Sequence, residues 1–183
     1  MASEHNLINE QIAAQQTLLA GARRVSAALP TFSTWLMAGF GAAFTLALVN
    51  IETVSKFIEI THIRFGLVLF LVSLVLAVLG TYLGTIVTAA LAAQEDGEMI
   101  GKKISESKQK FDLSMFAREY ERGLFPPIRW VAHSAMKKAM HGDVVAGARM
   151  IAKLSQLQTL MVVAQGVLAV VAAGALAVGL KMQ

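Results

Sequence analysis

Long apolar runs separated by polar links dominate the chain, and no stretch alternates apolar and polar residues at the period of two that a half-buried strand needs. About 20 apolar residues, at roughly 1.5 Å per residue, cross the hydrocarbon core of a bilayer. Three runs reach that length. Thr31 to Val49 carries no charge and follows Pro30, which suits a first helical turn because its missing N–H would go unpaired there. Gly66 to Ala93 is longer than needed and should tilt or project. Leu157 to Leu180 is the third.

The polar parts repeat every 3.6 residues. Residues 3–29 place Ile8, Ile12, Leu19, Ala22 and Ser26 on one helical face beside Leu18, Val25 and Leu29. After Gln94, one piece aligns Ile100, Ile104 and Phe111. A second opens on a cap at Asp112 and aligns Leu113, Phe116, Ala117, Tyr120 and Leu124. A third, opened by Pro127, aligns Ile128, Val131, Ala132, Ala135 and Ala139. Gly142 can end it in a left-handed conformation, and Asp143 can cap the next helix. From Val144 to Leu180 nothing breaks the helix, which would extend roughly 55 Å and form a stalk beyond the bilayer.

The pattern therefore predicts an all-α integral membrane protein with three transmembrane helices, an amphipathic N-terminal helix and a helical cytoplasmic loop domain. The expected order is an amphipathic cytoplasmic helix over 1–29, transmembrane helix 1 over 30–50, a short external link over 51–65 and transmembrane helix 2 over 66–93. The loop domain follows over 94–143, then a long helix over 144–181 that contains transmembrane helix 3.

Composition strengthens this reading. Of 183 residues, 56% are hydrophobic and 15% charged, against about 45–50% and 25% in soluble domains. The chain has no cysteine, which excludes disulfides, thiolate metal sites and a cysteine nucleophile. The first run is expected to stay in the mature protein, because it begins only after 30 residues that carry polar and charged groups throughout, and no A-x-A cleavage pattern follows. Arg23-Arg24 is a poor match to a twin-arginine signal.

Charge then sets an orientation. The link from Gln94 to Gln156 holds eleven of the sixteen Lys and Arg residues, with Lys102, Lys103, Arg149 and Lys153 close to span ends. Basic residues so placed stay cytoplasmic. The expected topology is multi-pass in a bacterial-type inner (plasma) membrane, with the N-terminus and long loop cytoplasmic and the C-terminus external. Trp35 and Tyr82 then fall near the inner interface, where amphipathic rings prefer to sit.

Candidate chemistry is sparse. Arg129, His133, Lys137 and His141 recur at four-residue spacing with Lys138 beside them, a basic stripe suited to anionic lipid headgroups or a partner and equally to a solvated helix face. Eight acids against eleven bases in the same link disfavour nucleic acid. No HExxH, GxSxG or phosphate loop is present: "GEMIGKK" has too few residues between its glycines and lacks the Ser or Thr. No enzyme activity, cofactor or metal is expected. The three runs contain no Asp, Glu, Lys, Arg or His, the residues with which transport paths are usually marked.

The runs do contain small residues in register. Ser73, Ala77, Gly80, Gly84 and Thr88 share one face of the second run. The first adds Thr34, Ala38, Gly41 or Ala42, and Thr45; the third adds Gln165, Ala169, Ala173 and Ala177. In lipid, close backbone approach along such seams drives helix association, and a buried glutamine amide can bond a neighbouring helix. The chain is thus expected to act through helix–helix association, as a homo-oligomer or as an accessory subunit of a larger membrane complex of secretion, conjugation or respiratory type. The alternative is an oligomeric pore of lysis or toxic-effector type, lined by Thr81, Thr85 and Thr88 or by Gln165.

Overall fold

The structure, a computed structural model, describes residues 2–107, 112–126, 128–143 and 145–180, with side chains from residue 10 onward except at 105, 107, 113 and 131. Expectations for the side chains of Ile8, Leu113 and Val131, and for Phe111, Pro127 and Val144, fall outside the described residues. So do Lys108, Lys110 and Lys181 of the charge count.

All described regular elements are helices: α1 Ala2–Val49, α2 Ile51–Phe57, α3 Ile60–Ser107, α4 Leu113–Arg122, α5 Ile128–Met140 and α6 Ala146–Val178. Three of them, α1, α3 and α6, are long and apolar enough to cross a membrane. The segments expected as a separate N-terminal helix and transmembrane helix 1 are one helix of 48 residues, with Pro30 inside it. Proline there removes one backbone hydrogen bond, a loss a long packed helix tolerates. The piece aligned by Ile100 and Ile104 likewise continues the second run without a break, so α3 also has 48 residues, roughly 72 Å. α2, a single short helix in the link over 51–65, was not legible in the pattern.

The chain divides into two compact units. One comprises Met1–Arg24 and Thr85–Ser155, the other Val25–Gly84 and Gln156–Gln183. In the second unit, Ser26 and Ser33 meet Gln158 and Gln165 in turn, so α1 and α6 run parallel. Gly66 faces Ala172 and Gly84 faces Gln158, so α3 runs antiparallel to α6. Ile63, Gly66, Phe70, Ser73, Ala77, Gly80 and Gly84 are the buried positions of α3 in this unit, and their spacing alternates three and four. That alternation keeps a seam facing its partner along a left-handed bundle. Phe44 and Phe70 stack with ring centroids 4.7 Å apart, and the fully buried Ala172 completes the cluster. An isolated antiparallel bridge between Ile58 and Leu180 closes the end of the unit.

The first unit has its own apolar cluster of Ala22, Val87, Leu91 and Ile151, and the exposed ion pair of Arg23 with Glu95 ties α1 to α3. Asp112 caps α4 as expected, accepting from the backbone N–H groups of Ser114 (2.9 Å) and Met115 (3.1 Å). Gly142 ends α5 with φ +91°, the left-handed conformation expected of it. Asp143, expected as a cap, meets the next helix through its backbone carbonyl, which accepts from the Ala146 N–H at 3.1 Å, while its carboxylate takes the Arg149 guanidinium at 3.0 and 3.1 Å.

Two outcomes follow for stability. A Cβ on Gly66 would lie 3.0 Å from the Ala172 carbonyl oxygen, which is backbone, whereas Gly39 and Gly174 have nothing within 4 Å. Gly66→Val should lose about 1–3 kcal/mol by overpacking, read as a lower thermal midpoint in detergent, while Gly39→Ala should be neutral or gain up to about 1 kcal/mol. The Asp112 carboxyl is held below its ordinary 3.8, first by the Ser114 hydroxyl and then by the backbone N–H groups of Met115 and Ser114. A lowered carboxyl stabilises the fold above its ordinary pKa, and that support is lost as pH falls through the lowered value. The protection of the amides from Ser114 to Arg118 against hydrogen exchange, relative to their intrinsic rates, should therefore fall below about pH 4, and Asp112→Ala should show the lower protection already at neutral pH.

Candidate functional site

The second unit is organised around two glutamines seven residues apart on α6. Two helical turns bring residues seven apart back to nearly the same face, so both amides aim into the bundle. Gln165 is 0% and Gln158 1% exposed. Ser33 Oγ donates to Gln165 Oε1 at 2.8 Å, and Gln165 Nε2 returns a longer bond to the Ser33 carbonyl at 3.4 Å. Ser73 Oγ donates to the Gln165 carbonyl at 3.0 Å. One residue of α6 is thereby bonded to both α1 and α3. Seven residues earlier the pattern recurs: Ser26 Oγ donates to Gln158 Oε1 at 3.0 Å.

Gly84 sits opposite this second rung. A Cβ there would come within 2.5 Å of Gln158 Nε2 and 3.2 Å of its Cδ, so the space a side chain would fill belongs to the amide. The glycines of the second run are thus occupied within the chain, Gly84 by Gln158 and Gly80 by Val162 and Met161. Among the described residues, the one buried side-chain polar atom without a hydrogen-bond partner is His62 Nδ1, which lies 3.4 Å from Glu59 Oε2 without hydrogen-bond alignment.

The expected seams divide accordingly. Ser73, Ala77, Gly80, Gly84, Gln165 and Ala169 are buried, and Ala173 is half-buried. Ala38, Ala42, Thr88 and Ala177 are exposed and lie off the contact faces. Four-residue steps each overshoot a full turn by about 40°, so a seam drawn with them drifts off the contact face. At the end of the second run the buried residue is Val87 and not Thr88. On α1 the contact face holds Ser33, Phe44 and Ser26, one position away from the small-residue line. Gln158, which follows one turn of mixed residues, was missed; its place seven residues before Gln165 was the available signal.

All five residues of the basic stripe, Arg129, His133, Lys137, Lys138 and His141, are exposed on α5 or at its end. Two of them have partners in the first unit: His133 Nδ1 lies 2.9 Å from Glu121 Oε1 on α4, and His141 Nδ1 lies 2.7 Å from the Lys137 carbonyl oxygen. The inner faces of α4 and α5, with Tyr120, Ile128 and Ala135 among them, wall an apolar groove of about 480 Å³ together with Ile86 of α3 and Leu154 of α6. Among the described residues no three His, Asp or Glu side chains converge as a metal site would require.

Compared with protein-family models, curated proteins and solved structures, the chain finds no match. Function must therefore be read from the geometry alone.

Gln165→Leu removes one amide and leaves the Ser33 hydroxyl buried, whereas Ser33→Ala leaves the amide itself buried without that partner. A buried polar group so orphaned costs about 1–3 kcal/mol. Ser33→Ala should therefore lower the thermal midpoint of the solubilised protein, and the double variant Ser33→Ala, Gln165→Leu should recover part of the loss. Simple additivity of the two changes would show that the bond does not couple the helices.

Proposed function

We propose that this chain is a small multi-pass protein of a bacterial-type inner membrane, with its long loop cytoplasmic, that acts by association and carries no enzymatic chemistry. It works as a homo-oligomer or as an accessory subunit of a larger membrane complex, of secretion, conjugation or respiratory type. One observation supports this best. The buried serines and glutamines Ser26, Ser33, Ser73, Gln158 and Gln165 are neutral and bonded to one another within the chain, while α1 keeps an outward apolar face built from Phe32, Trp35, Gly39 and Ala43 around a shallow groove. Aromatic residues beside small ones let a second helix approach closely, the form of contact that drives association in lipid. The exposed Ala38 and Ala42 extend the same side of the helix.

The pore reading rests on a different feature, the exposure of Thr81, Thr85 and Thr88 on α3. Gln165 is bonded inside the chain and belongs to the packing of the bundle.

Mild solubilisation from the native membrane followed by native mass measurement tests the first reading. An assembly larger than the 19.6 kDa chain is expected, weakened by Gly39→Leu with Ala43→Leu; a lone monomer rejects it. Release of a small dye from proteoliposomes would favour the pore, with Thr85→Leu reducing the rate.

A further inference from the structure

The turn between α4 and α5 presents its aromatics outward. Phe125 is 84% and Trp130 69% exposed, although Tyr120 and Ile128, their neighbours in sequence, turn toward the groove. Arg122 and Arg129 are exposed at the same turn. Arg122 is paired with Glu119 at 2.6 Å, and Arg129 has no ion pair among the described residues. α5 contains no acid at all, and of the two acids on α4 beside it Glu121 is turned to His133. The surface is therefore aromatic at its tip and basic behind it.

Its position in the first unit is informative. α5 and α6 both leave the Gly142 turn and wall the same groove, so Ile128 lies at the far end of α5, about 18 Å from Met140. The same groove also takes in Ile86, which belongs to the apolar run of α3, and Leu154, just before the apolar run of α6 begins. Ile128, just behind the tip, thus shares its groove with residues of the long helices that lie in or next to their apolar runs.

We propose that the α4–α5 tip is an interfacial anchor for an anionic phospholipid leaflet. Phe125 and Trp130 enter the boundary between headgroups and acyl chains, where amphipathic and aromatic rings are most stable, and Arg129 and Arg122 bind headgroup phosphates. Charge complementarity favours lipid over a protein partner: the patch combines two protruding rings with guanidinium groups and offers no acid of its own on α5. The long basic stripe contributes unequally, because Lys137 and Lys138 lie eight and nine residues from Arg129, about 12 Å further from the tip. The inference rests on the multi-pass membrane reading above.

The chain has two tryptophans, so Trp35→Phe leaves Trp130 as the sole reporter, and Trp130→Phe leaves Trp35. Each full-length variant is reconstituted into vesicles of phosphatidylethanolamine and phosphatidylglycerol carrying brominated acyl chains. Trp130 should emit at shorter wavelength than tryptophan free in water and be quenched several-fold more by bromine near the headgroup than near the chain end. Phe125→Asp or exchange of phosphatidylglycerol for phosphatidylcholine should reduce that quenching, while Trp35, in contact with lipid or with the neighbouring helix proposed above, stays closed to acrylamide throughout. A Trp35 closed to acrylamide with a Trp130 open to it overturns the anchor and leaves the membrane reading intact; two tryptophans open to acrylamide overturn both. A Trp130 shielded from acrylamide yet untouched by bromine is covered by protein, which also overturns the lipid anchor.

Discussion

The arrangement of the long helices depends on one amide. Apolar helices in an apolar surrounding gain little from hydrophobicity when they choose one register over another, so contact specificity must come from shape and from polar groups that have no alternative partner. Gln165 supplies both. Its side chain bonds α1 through Ser33, and its backbone carbonyl accepts from Ser73 of α3, so three helices are related through a single residue. The small residues around it, Ala169 and Ala77 among them, let the backbones come near enough for those bonds to form.

Much of this was legible before the structure. The helical class, the three long apolar segments, the Gly80–Gly84 face of α3, the importance of Gln165, the Asp112 cap and the left-handed Gly142 all follow from residue type and spacing. What was not legible has a physical cause. Pro30 looks like a boundary, yet α1 runs through it because the packing of a long helix outweighs a local cost of about 3 kcal/mol, and α3 runs on past Ala93, where the second span was expected to end. The seam of α1 was misplaced because size is a poor guide when a large pair fills the contact: Phe44 stacks on Phe70 where small residues would have left a void. The seam of α6 was drawn with four-residue steps, and burial duly declines from Ala169 through Ala173 to Ala177.

The first unit is held differently. Its α4 and α5 hairpin is short and relies on caps, turn geometry and the Glu121–His133 contact, with an incompletely filled groove beneath it. Local stability tracks the amount of buried apolar contact, so motion in this unit should be concentrated in the hairpin and not in α3 or α6.

The two serine–glutamine rungs also have a consequence for how α1 could be mis-threaded during folding. Because Ser26 and Ser33, like Gln158 and Gln165, are seven apart, sliding α1 by about 10.5 Å preserves one rung of the two. In one direction the remaining glutamine would face Phe40, in the other Leu19, and neither side chain can bond its amide. The ladder therefore works as a two-digit combination: one digit can match in the wrong position, but both match only in the native one.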